Sequence, residues 1–159
     1  MLDEETIREE IQLLIFSLAN EEFACRTDQV KEITRMMETI TMPKAPTFIK
    51  GVINLRGKVI AVIDLARQLG LPSSEPGEES RIIVAEVEDN IVGLLVDSAS
   101  EVLRISTENI EPTPAVIENK VDTRYIQGIG RIGNRLFVLL DLDKVLSAEE
   151  IESVEEETD

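Results

Sequence analysis

Residues 51–65 read GVINLRGKVIAVIDL, and this stretch decides the fold class. Two apolar runs enclose a short polar tip, which is the pattern of a β-hairpin with a two-residue turn. Gly57 can supply the positive φ that such a turn requires. The pattern predicts that Asn54, Arg56 and Lys58 project into solvent from the end of this hairpin.

The second run of the hairpin leads into the start of a helix. Val59 and its neighbours are expected to face the core. Asp64 is placed to cap a short helix over residues 65–69, because its carboxylate can accept hydrogen bonds from the first free N–H groups. Gly70 and Pro72 follow, and both residue types are typical of a helix end.

The hairpin and the helix occur twice in the chain. Residues 46–69 align without a gap on residues 123–146, which is an offset of 77, and an earlier block aligns at an offset of 69. The matching pairs include Ile49/Ile126, Gly51/Gly128, Asp64/Asp141, Leu65/Leu142 and Leu69/Leu146 in the later block, and Asp28/Asp97 and Glu32/Glu101 in the earlier one. Agreement over two blocks in the same order predicts an internal duplication.

Short strands with regular turns predict a mainly β fold, made of two small barrels with short helices. The duplication and the Pro/Ser-rich stretch PSSEPGEES place a first β-barrel subdomain at 11–71, a linker at 72–80 and a second β-barrel subdomain at 81–146. Each half is too small for a large core of its own. We therefore expect the barrels to pack together and to leave a groove at their junction.

The two ends of the chain are strongly acidic. Residues 1–10 form an acidic N-terminal tail and residues 147–159 an acidic C-terminal helix or tail, and together they carry −11 of the net charge of −16. Solvated ends explain this charge, and a docking tail for a basic partner is the alternative. Nucleic acid is a poor partner, because phosphate binding requires a cationic face.

The composition disfavours catalysis. The sequence has no histidine and one cysteine, Cys25, so the commonest general base, a thiolate metal cage and an internal disulfide are excluded. We expect a cytoplasmic, non-enzymatic protein with no cofactor and no membrane insertion, in which Cys25 is a small buried hydrophobe. A carboxylate-dependent hydrolase stays open as an alternative, and three or more acids in one pocket would favour it. Asp64 and Asp141 are better explained as helix caps.

Several motifs together resemble one known family. Residues 54–57 read NLRG, 62–65 read VIDL, 48–51 read FIKG, 30–33 read VKEI and 92–97 read VGLLVD. In this order and over residues 11–146, the chain resembles the chemotaxis coupling proteins of the CheW family. Ala61 departs from the family pattern, which usually has proline before the VIDL stretch.

The resemblance implies two SH3-like five-stranded barrels. It further implies a scaffold that joins the cytoplasmic tips of methyl-accepting chemoreceptors to the regulatory domain of the histidine kinase CheA, in arrays at the membrane. The receptor tip would lie in the groove between the barrels, and apolar β-surfaces would meet the kinase or further copies in array rings. The positions that match the family's functional residues are Val30, Glu32, Gly51, Asn54 and Arg56.

Two questions stay open at this point. The residues alone allow Arg56 either to pair with a nearby carboxylate that fixes the turn or to order a groove that contacts a partner. The same adaptor domain could also serve a sensory array outside chemotaxis, such as one for surface motility or development.

Overall fold

The computed structural model describes residues 9–114 and 124–157, and the fold is mainly β, as predicted. The strands are β1 (Glu10–Leu18), β2 (Glu21–Arg26), β3 (Val30–Arg35), β4 (Ile49–Leu55), β5 (Lys58–Asp64), β6 (Arg81–Val87), β7 (Asn90–Val96), β8 (Ser98–Ser106), β9 (Ile110–Glu111), β10 (Ile126–Ile132) and β11 (Arg135–Leu140). The α-helices are α1 (Leu65–Gln68) and α2 (Ala148–Glu157). No helix within these residues is long and apolar enough to cross a membrane.

The strands form two sheets with one shared plan. The six-stranded barrel has the order β8-β1-β2-β11-β10-β9, and the five-stranded barrel has the order β3-β6-β7-β5-β4. In each, the central contact is parallel, between β2 and β11 or between β7 and β5, and the antiparallel pairs flank it. The sixth strand, β9, has a counterpart in the isolated bridge that Ile40 makes with Val52.

The strand orders support the internal duplication. Strands β3, β4 and β5 of the first repeat correspond to β8, β10 and β11 of the second repeat. Corresponding strands occupy the same places in the two sheets. Register shifts also coincide, because Lys31 and Ser100 are the extra residues in β3 and β8 at an offset of 69. Identical irregularities at equivalent positions are characteristic of one ancestral unit used twice.

The predicted subdomain boundaries need a correction. The segment 11–71 contributes β1 and β2 to the six-stranded barrel but β3, β4 and β5 to the five-stranded one. The segment 81–146 is divided in the same way, so the two repeats exchange their first hairpins and neither barrel is continuous in sequence. The physical reason is that a duplicated hairpin presents the same edges to either half, and local patterns do not choose between the two pairings.

The exchange places the largest core between the barrels. Its members include Leu14, Phe16, Phe23, Ile63, Ile83, Leu94, Leu140 and Leu142, all buried. Each barrel interior is smaller, built around Phe137 and Ile15 in one case and Ile53 and Ile60 in the other. Burial of one shared core stabilises both barrels, so we expect them to unfold together.

Both predicted caps are present. The Asp64 side chain accepts from the Arg67 N–H at 3.2 Å and caps α1, which ends one residue earlier than predicted. The equivalent Asp141 accepts from the Asp143 N–H at 3.0 Å at the start of a 3-10 turn. These contacts satisfy free backbone donors, and they confirm a structural role for both carboxylates.

The acidic C-terminal segment is a docked helix over the part that the structure describes. Ser147 and Glu150 form a reciprocal capping box, with N-to-oxygen distances of 2.7 Å and 3.2 Å. Val154 is fully buried in the inter-barrel core, and Gln68 of α1 donates to the Val145 carbonyl and to Glu150. The helix therefore ties the second repeat to the first. Residues 1–8, 158 and 159 of the acidic tails lie outside the described residues.

Cys25 is fully buried in the inter-barrel core, as predicted. Burial, together with the nearby charge of Asp28, raises the pKa of its thiol to about 12. The folded state therefore favours the protonated thiol. The contribution of this preference to the stability of the fold is lost as the pH rises from the ordinary pKa of 9.0 towards 12.

We expect a thiol reagent at pH 8 to label native Cys25 only through unfolding, because the nucleophilic thiolate is absent and access is blocked. The measurement is the labelling rate against urea concentration, read beside unfolding by circular dichroism. Rapid labelling of the fully folded protein would contradict the burial of this thiol.

Candidate interaction site

The hairpin tip at residues 56–57 is a rigid platform. Arg56 and Gly57 both have positive φ, 50° and 84°, which is the geometry of a type I′ turn. Asn54 reinforces the turn, because its Oδ1 accepts from the Gly57 N–H at 2.9 Å. Asn54, Arg56 and Lys58 are exposed, as predicted.

The prediction that Val59 faces the core is wrong. Val59 is 50% exposed, because it lies directly opposite the exposed Asn54 in the antiparallel register. Cross-strand partners share one face of a sheet. The core instead begins one residue later, at Ile60.

Arg56 forms a two-point ion pair with Glu32 of β3. Its Nη1 and Nη2 donate to the two carboxylate oxygens at 2.6 Å and 2.7 Å. The pair joins the hairpin tip to the edge strand β3, which no backbone ladder connects there. The Arg56 side chain nevertheless stays 69% exposed, against 30% for Glu32, so one face of the guanidinium is accessible to another molecule.

Val30 has a different environment from this pair. It lies at the start of β3 and packs against the inter-barrel core. The extra residue Lys31 puts Val30 and Ile33 on the same face of β3, opposite Ala85 and Ile83 of β6. Ile33 is 41% exposed.

Gly51 is buried inside β4, where a neighbouring segment comes very close. A Cβ added to Gly51 would lie 2.7 Å from Thr39 Cγ2 and closer still to the Ile40 carbonyl oxygen. The equivalent Gly128 meets Glu111 in the same way, at 2.7 Å from its carbonyl oxygen. Of the five predicted site residues, the structure thus brings Glu32 and Arg56 into contact and places Asn54 in the same hairpin turn as Arg56. Val30 packs on the inter-barrel core, and Gly51 is buried inside β4.

Glu32 and Arg56 line an open groove of about 440 Å³, here called the barrel-end groove. Its lining residues are Lys31, Glu32, Leu55, Arg56, Lys58, Ile60, Val84 and Ile91. Leu55, Ile60 and Val84 belong to the interior of the five-stranded barrel, so the groove is the open end of that barrel. At the barrel junction there is a separate apolar hollow of about 200 Å³, beside Phe23 and Tyr125, and none of the five predicted residues lines it.

A second arginine cluster was not predicted from the sequence. Arg135, at the start of β11, donates to both oxygens of Glu22 at 2.8 Å and also to Glu101. The hydrogen bond from Arg135 lowers the pKa of Glu22, and the hydrogen bonds to Glu22 and Glu101 raise the pKa of Arg135. The sequence signal for this cluster is the alignment of Glu101 with Glu32, because the alignment places Glu101 at the equivalent position of the other barrel.

An acidic hollow of about 320 Å³ has five acidic side chains in its lining, which is the clustering that the carboxylate-dependent alternative requires. Its lining residues are Asp28, Gln29, Glu86, Glu88, Asp89 and Asp143. Glu86 already pairs with Lys31 at 3.2 Å, and Asp143 accepts from the Glu88 N–H at 3.2 Å. Among residues 9–114 and 124–157, no three such side chains are placed to hold a metal ion.

Exposed apolar side chains recur at equivalent positions of the two barrels. Ile33 and Val102 are 41% and 51% exposed on β3 and β8, and Val59 and Leu136 are 50% and 56% exposed on β5 and β11. The recurrence follows from the duplication, and single exposed aliphatic side chains are ordinary on a protein surface.

Comparison with known proteins gives one consistent family. The model of the CheW-like domain matches residues 12–150. The chemotaxis protein CheW of Rhizobium meliloti is 37% identical over 142 residues, which are 89% of this chain and 91% of that protein. That of Bacillus subtilis is 35% identical over 142 residues, 89% and 90% of the two chains. The solved structure of the scaffolding protein TtCheW from Thermoanaerobacter tengcongensis has a TM-score of 0.80 and 32% identity, and the match covers 89% of this chain and 96% of that one.

Proposed function

This chain belongs to the CheW-like family of chemotaxis scaffold proteins, and from that membership we propose that it couples chemoreceptors to the histidine kinase CheA without catalysing a reaction. The observation that carries the proposal is the match over residues 12–150, combined with the exposed Arg56–Glu32 pair beside an aliphatic groove. The protein would act in the cytoplasm, at receptor arrays.

The receptor side of the proposal rests on the surface around Arg56. An amphipathic helix binds by laying apolar side chains on an aliphatic surface while its polar side chains meet a charged rim. The aliphatic surface beside this pair is the lining of the barrel-end groove, formed by Leu55, Ile60, Val84 and Ile91. Arg56 is held by two hydrogen bonds and is still 69% exposed, so its free face can bind a receptor side chain with little loss of side-chain entropy.

The kinase side of the proposal rests on the exposed aliphatic residues near the hairpins. Val59 and Leu136 are exposed at equivalent places on β5 and β11, so each barrel has an exposed aliphatic side chain at the corresponding position. Two equivalent positions, one on each barrel, would let one molecule contact two neighbours. This arrangement would permit a contact with the kinase regulatory domain at one end and a ring contact, with the kinase or with another copy, at the other.

The test of this function is a reconstitution with the host's receptor signalling tip and histidine kinase. We expect a ternary complex by sedimentation and a change in kinase autophosphorylation that requires all three components. A folded protein that binds neither component would contradict the adaptor role.

We predict that Arg56→Ala weakens receptor coupling while the fold stays intact. An exposed ion pair contributes only about 0–1 kcal/mol to stability, so the free energy of unfolding should change by no more than this. The measurement is receptor-dependent kinase activity beside urea denaturation.

The matched control is Arg131→Ala. Arg131 is also exposed and also pairs with one carboxylate, that of Glu111 at 2.8 Å, but it lies on the other barrel. Equal loss of coupling in both variants, or none in Arg56→Ala, would remove Arg56 from the receptor site.

A further inference from the structure

The barrel-end groove has a counterpart in the six-stranded barrel that is filled. Ile53 and Ile60 are cross-strand partners in the five-stranded barrel, and the equivalent partners in the other barrel are Gly130 and Phe137. The Phe137 ring lies directly over Gly130, at the place that a Cβ would occupy, and it is 2% exposed. The single Phe137 ring therefore lies where the five-stranded barrel has two isoleucine side chains.

An ionic cluster also covers the filled end. The counterparts of Lys58, Ile91 and Glu32 are Arg135, Glu22 and Glu101, and these three side chains are joined by hydrogen bonds. In the five-stranded barrel the same triangle is broken, because the place of Glu22 is taken by the apolar Ile91, 38% exposed. One end of the molecule is thus closed by its own side chains, and the other is open.

The open end has the opposite charge to the molecule as a whole. Three cations, Lys31, Arg56 and Lys58, surround it, with Glu32 as the only acid among its lining residues, whereas the chain carries −16. Lys31 and Arg56 have carboxylate partners at 3.2 Å and 2.6 Å. Among the residues that the structure describes, Lys58 forms no ion pair. The groove therefore combines an aliphatic floor with a cationic rim that is only partly neutralised.

We propose that the barrel-end groove binds an acidic partner segment, which inserts an apolar side chain over Ile91 and places carboxylates against Lys58 and the free face of Arg56. This inference deepens the proposed function, on which its biological role rests, by naming Lys58 and Ile91 as residues that determine specificity. Charge complementarity selects the occupant, because the two lysines and the arginine of the groove rim attract carboxylates. The closed end of the six-stranded barrel does not bind the acidic segment.

The direct test uses a capped peptide of sequence Glu-Glu-Leu-Phe-Glu-Glu and the isotope-labelled full chain, followed by NMR. We expect saturable shifts at the amides of Lys58 and Ile91 and none at Glu22 and Arg135. The neutral peptide Gln-Gln-Leu-Phe-Gln-Gln should bind more weakly, and the difference should shrink as salt rises. Equal binding of both peptides, shifts at the closed end, or no shifts would overturn the proposal.

Two variants test the named residues. Lys58→Glu should weaken acidic-peptide binding by about five- to tenfold at low salt, since an attraction becomes a repulsion. Ile91→Ser should weaken both peptides by a similar factor through the lost apolar contact. The control Arg104→Glu makes the same charge change at an exposed site on β8 and should change binding less than twofold.

The outcomes separate this inference from the adaptor role. If the ternary complex forms but Lys58→Glu and Ile91→Ser bind the peptide like wild type, the groove inference fails and the adaptor role stands. If the peptide binds as expected but neither receptor nor kinase binds, the groove inference stands and the adaptor role fails. If the amide shifts of groove residues depend on protein concentration in the absence of peptide, the groove binds a second copy of this chain. That result would overturn the proposal of an acidic partner segment.

Discussion

Gly51→Ala is expected to lower the free energy of unfolding by about 3 kcal/mol, although it adds a single methyl group. The added Cβ would meet the Ile40 carbonyl and would lie 2.7 Å from Thr39 Cγ2. Relief requires the backbone around Ile40 to move, and that segment is hydrogen-bonded to Val52 in both directions at 2.9 Å. A domain of this size has about 5–15 kcal/mol of stability, so the loss is a large fraction of the total.

The measurement is urea denaturation, with Gly77→Ala as the matched control. Gly77 has open space where a Cβ would be added and does not need a positive φ, so its substitution should change stability by less than about 0.5 kcal/mol. Similar stabilities of the two variants would show that the Ile40 segment yields easily.

This prediction also separates two explanations for a loss of coupling. In Arg56→Ala, coupling is expected to fall while stability is kept, because the side chain is exposed. In Gly51→Ala, coupling is expected to fall together with stability, and lowering the temperature or adding a stabilising osmolyte should restore part of it. Gly51 then acts through the placement of β4, and Arg56 acts at the surface itself.

The local elements could be predicted from the sequence because their signals are local. The two-residue turn at Arg56 and Gly57 and the Asp64 cap each depend on residues within a few positions of one another. The duplication was visible as well, because it preserves spacing. The exchange of hairpins between the repeats was not predictable in this way, since it depends on which of two similar edges a strand selects.

The candidate site was only partly predictable, because it combines residues that are far apart in the sequence. Glu32 and Arg56 were named, and they form one ion pair, but their separation of 24 residues hid which groove they line. The apolar pattern predicts that Val59 faces the core, yet the register at the hairpin tip places Val59 opposite Asn54 and exposes it. The proposed role of Lys58 and Ile91 depends on comparing equivalent positions of the two barrels, and this comparison requires the three-dimensional structure.

The comparison of the two barrels makes a second prediction with a large effect. Gly130→Ile should destabilise the protein by about 3–4 kcal/mol, because the new side chain would occupy the volume of the Phe137 ring. Phe137→Ile alone should cost about 1–2 kcal/mol, since it leaves a space over Gly130. Both values come from urea denaturation followed by circular dichroism.

The double variant Gly130→Ile/Phe137→Ile recreates the pair Ile53 and Ile60 that already packs in the five-stranded barrel. We expect it to be more stable than Gly130→Ile alone, with a favourable coupling of about 2 kcal/mol between the two sites. Simple additivity would mean that the two barrel interiors are not interchangeable at this position. With the ring removed, Arg135 and its two glutamates would be the remaining barrier at the closed end. The acidic peptide should therefore still fail to bind at the closed end. This result would show that charge, as well as volume, determines which barrel end the peptide binds.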